Sequence, residues 1–153
     1  MKLIICLASL LAASTSLALD GTVVGVHDGD TITVLDNENT QHKIRLAEID
    51  APELKQAWGM ASKKTLSDFV FKKTVRVSVE STDRYGREVG TVFVGSENIN
   101  YAQLKVGSAW AYQKYLHSKT PIELEKKAKD AKLGLWSLNE AIPPWEFRKT
   151  KDK

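Results

Sequence analysis

The chain has 153 residues, 42% hydrophobic and 27% charged, with a formal net charge of +3. That length and apolar fraction suit one compact domain with a core of its own. A single cysteine, Cys6, excludes an internal disulfide framework, and so small a charge permits a polyanionic partner without implying one.

Lys2 is followed by an uncharged apolar run from Leu3 to Ala13 and then by Ser16-Leu17-Ala18, small at the positions a signal peptidase reads. The run is too short for a permanent membrane anchor. Residues 1–18 are therefore expected to be a signal peptide cleaved after Ala18, with export to the periplasm or the medium and no stable membrane association afterwards. The mature chain would begin at Leu19, lose Lys2 and Cys6, and be less basic by one charge.

In the stretch that follows, Thr22 to Val26 and Thr31 to Leu35 are rich in Val, Ile and Thr and read as half-buried strands, with Asp28-Gly29 as the hairpin signal between them. After a second turn at Asp36-Asn37-Glu38-Asn39, a third strand ends near Leu46, with Ile44 and Leu46 on one face and Lys43 and Arg45 on the other. The period changes between Pro52 and Val75, where Trp58, Ala61, Thr65, Leu66 and Phe69 make the apolar side of an amphipathic helix. Val75, Val77 and Val79 alternate with polar residues as a fourth strand. Asp83-Arg84-Tyr85-Gly86 is a turn, and Val89 to Val94 is a fifth strand.

A short helix is expected from Ile99 to Val106, closed by Gly107. In the last helix Thr120 is read as the N-cap, Pro121 as the first helical residue and Glu123 as the partner in a capping box; Gly134 marks the stop. Residues 19–138 form the expected domain and 139–153 an arm. Pro143-Pro144 reads as an extended course docked by Trp145 and Phe147, with Arg148 to Lys153 fraying. The whole predicts an α+β, mainly β fold: a five-stranded Greek-key barrel of the OB type with three helices.

The polar residues cluster where strands break. Asp30 ends one hairpin, and Arg45, Asp50 and Glu53 follow the third strand. If these ends converge, three carboxylates crowd one place, which a cation or a proton must relieve. All candidate donors are oxygens, and His27, His42 and His117 show no ligand spacing, so a hard divalent cation fits best.

Three motifs in register, Asp28-Gly29-Asp30-Thr31, Arg45-Leu46-x-x-Ile49-Asp50-Ala51-Pro52-Glu53 and Asp83-Arg84-Tyr85-Gly86-Arg87, closely resemble the staphylococcal nuclease (thermonuclease) family. The resemblance runs from about Gly21 to Trp136. It implies Ca²⁺ held by Asp30, Asp50 and the backbone carbonyl of Ala51, with Ala51 standing where the staphylococcal enzyme has threonine. It implies that Arg45 and Arg87 bind phosphate, that Glu53 deprotonates or orients the attacking water, and that Tyr85, with Tyr112 and Tyr115 as looser matches, contacts the nucleotide. The expected activity is a monomeric, Ca²⁺-dependent nuclease acting on DNA and RNA and leaving 3′-phosphate and 5′-hydroxyl ends. Alanine at Arg45, Glu53 or Arg87 is expected to lower turnover with little loss of folding. The alternative is a non-catalytic OB-fold module that holds nucleic acid without cutting it.

Overall fold

Branched apolar residues alternating with polar ones give the strands, and a change to helical spacing gives the helices between them. The computed structural model describes residues 17–151; the first sixteen residues of the expected signal lie outside them. The elements in chain order are β1 (Leu17–Val26), β2 (Thr31–Asp36), β3 (Gln41–Leu46), β4 (Ile49–Asp50), α1 (Gly59–Val70), β5 (Thr74–Thr82), β6 (Glu88–Val94), β7 (Glu97–Asn98), α2 (Ile99–Lys105), β8 (Trp110–Ala111), α3 (Thr120–Asp130) and α4 (Pro144–Lys151). Short 3₁₀ turns lie at Gln113–Tyr115 and Gly134–Ser137.

Strand order is β3-β2-β1-β5-β6-β7, antiparallel throughout, and a parallel pairing of β3 with β6 closes the sheet into a five-stranded barrel of the expected OB type. The closing register sets Ile44 against Glu88, Arg45 against Val89 and Leu46 against Gly90. Inside the barrel, Val23, Ile32, Ile44, Leu46, Val77 and Val92 are fully buried. Each such side chain contributes on the order of 1.5–3 kcal/mol by leaving water. Helix α1 adds Leu66 and Val70 to that core from one stripe, with Ser62 a turn earlier on the same side.

β1 starts earlier than its β-branched residues suggest. Leu17 to Thr22 pair with Val79 to Thr74 of β5, so a stretch of weak strand formers is held by its neighbour. Gly21 lets β2 approach on the other side: a Cβ there would lie 2.4 Å from the Leu35 carbonyl oxygen. Ala18, the expected cleavage residue, sits in this strand opposite Ser78.

Two expectations about helices are corrected. The capping box at Thr120 does not form: Lys119 is the N-cap, without a side-chain hydrogen bond, and Thr120 is already helical. The Ser118 hydroxyl accepts the Thr120 N–H at 3.3 Å instead. The arm after residue 139 is not extended to its end, and Arg148 does not fray. Pro144 opens a fourth α-helix, because proline at the first helical position lacks only an N–H that the helix leaves unused. The Pro143 carbonyl then accepts the N–H groups of Glu146 and Phe147, both at 3.0 Å.

Candidate active site

The first two sequence motifs meet at the end of the barrel where β1, β3 and β4 turn. Asp30 joins them. Its backbone carbonyl accepts the Leu46 N–H at 2.8 Å, its Oδ2 accepts the Ala51 N–H at 2.6 Å, and its Oδ1 accepts the Thr31 hydroxyl at 3.0 Å. The loop carrying it lies directly on α1. A Cβ on Gly29 would fall 1.8 Å from Ser62 Oγ and 2.7 Å from Ala51 Cβ, so only glycine allows that approach. Gln103 Nε2 of α2 donates to the Gly29 carbonyl at 2.7 Å and fixes the loop from the other side.

Arg45 points from β3 into this junction and spends its guanidinium there. Nη1 donates to the carbonyls of Leu46 at 2.6 Å and Ile49 at 2.8 Å, while Nη2 lies 3.3 Å from Asp30 Oδ2 and 3.2 Å from Asp50 Oδ1. The side chains of Arg45, Asp30 and Asp50 are only 13%, 7% and 3% exposed, so two carboxylates and one guanidinium share a nearly dry space. The chain makes the bend because Glu48 takes a left-handed conformation, φ 64°. Glu48 does not pair with its near neighbour Arg45. Its carboxylate accepts the Tyr101 hydroxyl at 3.1 Å and the His117 N–H at 2.8 Å, and its carbonyl accepts the Tyr112 N–H at 2.8 Å. Asn100 supports the same bend from α2: its amide donates to the Ala47 and Gly90 carbonyls at 2.9 and 3.1 Å, and its oxygen accepts the Val92 N–H at 3.0 Å.

Crowding of acids shows in their proton affinity. Burial raises the Asp50 carboxyl above the ordinary range and Asp30 adds to the effect, while Arg148 and Arg45 oppose it. Asp28 is pushed up to about 7 by burial and by Asp30. The junction thus favours positive charge or protons, as a cation site of oxygen donors must. Asp30 and Asp50 supply two such donors and the Ala51 carbonyl is adjacent in sequence. Among the described residues no group of three or more His, Cys, Asp or Glu side chains is arranged around one metal position, so a cation here would complete its shell from carbonyls, water or substrate.

The other predicted residues fall into two places. Arg87 lies where β6 enters the sheet, and its Nε donates to Asp83 Oδ2 at 2.7 Å within the turn before it. Although burial opposes it, hydrogen bonds from the Arg87 N–H and guanidinium hold the Asp83 carboxyl below its usual range. Arg87, Lys43 and Tyr85 line an open groove beside the junction. The Tyr85 ring is 69% exposed, with the guanidinium carbons of Arg84 and Arg87 at 4.8 and 5.5 Å from its centroid. Tyr112 and Tyr115 lie together on the other side of the bend, ring centroids 4.9 Å apart. Thus Asp30, Arg45, Asp50 and Ala51 converge directly, while Arg87 and Tyr85 sit along a neighbouring groove.

Glu53 completes the junction through a residue that the sequence did not nominate. Arg148, on α4, donates from Nη2 to Asp50 Oδ2 at 2.7 Å and from Nη1 to Glu53 Oε1 at 2.9 Å. Its Nη1 also lies 3.3 Å from Asp50 Oδ1, the oxygen that Arg45 approaches. The hydrogen bonds to Asp50 and Glu53 strengthen its hold on its proton. The one local signal was Trp145 and Phe147 just before it, the apolar anchors that dock the helix.

Comparison with known proteins gives the family. A family profile described as "Staphylococcal nuclease homologue" matches residues 43–138. The chain is 45% identical over 127 residues to an "Uncharacterized endonuclease" of Haemophilus influenzae, covering 83% of this chain and 71% of that protein. It is 41% identical over 140 residues to the "Micrococcal nuclease" of Shigella flexneri, covering 84% and 80%, and 41% identical over 155 residues to "Protein ParB" of Escherichia coli, covering 94% and 87%. With the barrel, the motifs and the matched span in agreement, the chain belongs to the staphylococcal nuclease family.

Proposed function

We propose that this protein is an exported, Ca²⁺-dependent nuclease that hydrolyses phosphodiester bonds of DNA and RNA and leaves 3′-phosphate and 5′-hydroxyl ends. The observation that carries the reading is the convergence of the Asp30 and Asp50 carboxylates on the Arg45 guanidinium, with Glu53 one bridging residue away. A module that only bound nucleic acid would gain nothing from buried carboxylates facing phosphates, which repel them.

Water attacking a phosphodiester adds charge to an already anionic centre, so the site must present positive charge before the reaction starts. Asp30, Asp50 and the Ala51 carbonyl would hold Ca²⁺, which supplies Lewis-acid stabilisation of the phosphate oxygens. Arg87 and Lys43 offer cations along the groove, and the exposed Tyr85 ring offers a face on which a base can stack. Glu53, partly exposed at the mouth of the junction, takes the proton of the attacking water or orients that water. Arg45 keeps the two buried acids together beside it.

The decisive experiment incubates the purified protein with single-stranded DNA, first with Ca²⁺ and then with a chelator. Acid-soluble fragments are expected only with Ca²⁺, and their 5′ ends are expected to accept phosphate from a polynucleotide kinase without prior dephosphorylation. Cleavage insensitive to the chelator would remove the metal assignment; binding without cleavage would leave the non-catalytic module. Export through residues 1–18 predicts a secreted or periplasmic protein whose N-terminus is Leu19 by mass spectrometry.

A further inference from the structure

Glu53 stands in a loop, and a loop carboxylate that handles a water needs something to hold it. Among the described residues its carboxylate has one hydrogen-bonding partner, Arg148, at 2.9 Å. The same guanidinium is bound to Asp50 at 2.7 Å. Its fork therefore spans two carboxylates, one buried at 3% exposure and one at the mouth at 37%, and sets the distance between them.

The helix that delivers Arg148 is itself built onto the site. Gln56, 9% exposed, uses its Oε1 to accept the Glu53 N–H at 3.1 Å and its Nε2 to donate to the Ile142 carbonyl at 2.5 Å. One buried amide thus ties the Glu53 turn to the start of the arm. Trp145 lies flat on Tyr112, with rings 5.6 Å apart and 5° from parallel, and meets Trp110 edge-on at 5.7 Å. Trp110 pairs with Asp50 in the β4–β8 ladder. Phe147 and Ile142 close over Pro52, Ala57 and Leu135 in a small apolar cavity beside it. The Trp145 contacts and the Gln56 clamp seat the helix that carries Arg148, and its 41% exposed side chain is held at the tip by the two carboxylates it bridges.

We propose that Arg148 is a positioning residue of the hydrolytic site: delivered by the C-terminal helix, it holds the Glu53 carboxylate in the orientation that serves the attacking water. This rests on the nuclease reading given above. Arg148 acts through Glu53, so its removal should lower kcat and leave KM nearly unchanged, and the loss should vanish once Glu53 can no longer act.

The test compares the full-length wild type, Arg148→Ala, Arg148→Lys, Glu53→Gln and the double variants Arg148→Ala/Glu53→Gln and Arg148→Lys/Glu53→Gln on single-stranded DNA at saturating Ca²⁺, with thermal melts of each. Arg148→Ala is expected to lose about 10–100-fold in kcat, the range for a group that orients a reacting residue. Arg148→Lys, which keeps the charge but cannot reach both carboxylates with one planar fork, should lie between the two. In the Glu53→Gln background the further loss from Arg148→Ala should be under about twofold. Should Arg148→Ala fail to fold, the kcat of Arg148→Lys and its behaviour in the Glu53→Gln background decide the question alone. An unchanged kcat overturns the proposal. So does a rise in activity, which would make the helix an inhibitory latch, and so does a full additive loss in the Glu53→Gln background, which would mean that Arg148 acts through Asp50 or on the substrate rather than through Glu53. A wild-type protein that cuts nothing would instead refute the nuclease reading, and this inference with it.

Discussion

Arg45→Ala should destabilise the fold as well as the activity, contrary to the expectation from sequence that this residue acts only in the transition state. Its guanidinium satisfies two backbone carbonyls, those of Leu46 and Ile49, and neutralises Asp30 and Asp50, all at 3.3 Å or less. Removing one partner of a buried ion pair costs about 3–5 kcal/mol, because the remaining charge stays desolvated. Arg148 still contacts Asp50 in the variant, so the lower end, about 3 kcal/mol, is expected. With a urea slope of about 2 kcal/mol/M for a domain of this size, the midpoint should fall by about 1.5 M. The pH dependence supplies a second check. A carboxyl whose folded pKa is raised, as that of Asp50 is, binds more protons in the folded state, so stability declines as pH rises from the unfolded pKa to the folded one. Taking Arg45 away raises that carboxyl further, so the loss should be smaller at pH 5 than at pH 8, and Asp50→Asn in the same chain should restore part of it. Urea unfolding in chelator at the two pH values measures this. An unmoved midpoint at pH 8, or a larger loss at pH 5, would refute the assignment of Arg45 as a structural cation.

Three further outcomes follow from the geometry. Asn100→Leu leaves the Val92 N–H and the Ala47 carbonyl without their buried partner and should cost about 2–6 kcal/mol, at about 1–3 per unsatisfied group, read by the same unfolding assay. Gly29→Ala drives a methyl into Ser62 Oγ and Ala51, so it should cost about 1–3 kcal/mol and displace Asp30; an unmoved unfolding midpoint would discount that contact. His42 sits between Asp36 and Glu88, each 3.0 Å away, and a hydrogen bond to Asp36 raises its pKa although burial opposes it. A raised histidine contributes stability below its unfolded pKa and loses it as pH rises through the folded value. His42→Gln should therefore lower the melting temperature by a few degrees at pH 5.5 and hardly at pH 9.

The barrel was legible in the sequence because its strands carry their own evidence: period-two alternation in β2, β3 and β5, and turn residues between them. The extension of β1 back to Leu17 was not, since Ala18, Leu19 and Asp20 owe their strand conformation to β5. The convergence of Asp30, Arg45 and Asp50 could be anticipated because all three lie at strand ends that a meander brings to one side. Arg148 could not, because its partners lie 95 and 98 positions away, and Trp145 and Phe147 beside it mark a docked segment without saying which of the basic residues after them reaches the acids. Pro143-Pro144 misled for a definable reason: proline forbids the interior of a helix, not its first turn.

Arg45 and Arg87, which the resemblance treats as equivalent, differ in their contacts. Arg45 has its terminal nitrogens committed to carbonyls and buried acids, so gripping a phosphate would mean giving up contacts that hold the loop together. Arg87 is held at Nε by Asp83, and its two terminal nitrogens have no hydrogen-bonding partner among the described residues. That arrangement anchors the side chain while leaving the outer part of its fork for an anion, beside Lys43 and Tyr85 in the groove. On the proposed reading, Arg87 faces the phosphate, Arg45 keeps the acids in place, and Arg148 holds Glu53. The alanine variants of Arg87 and Arg45 should then differ in kind: Arg87→Ala should lower kcat/KM with an unaltered melting temperature, whereas Arg45→Ala should lower both. Equal melting temperatures for the two would mean that the buried cation at Arg45 contributes no more to the fold than the partly exposed one at Arg87.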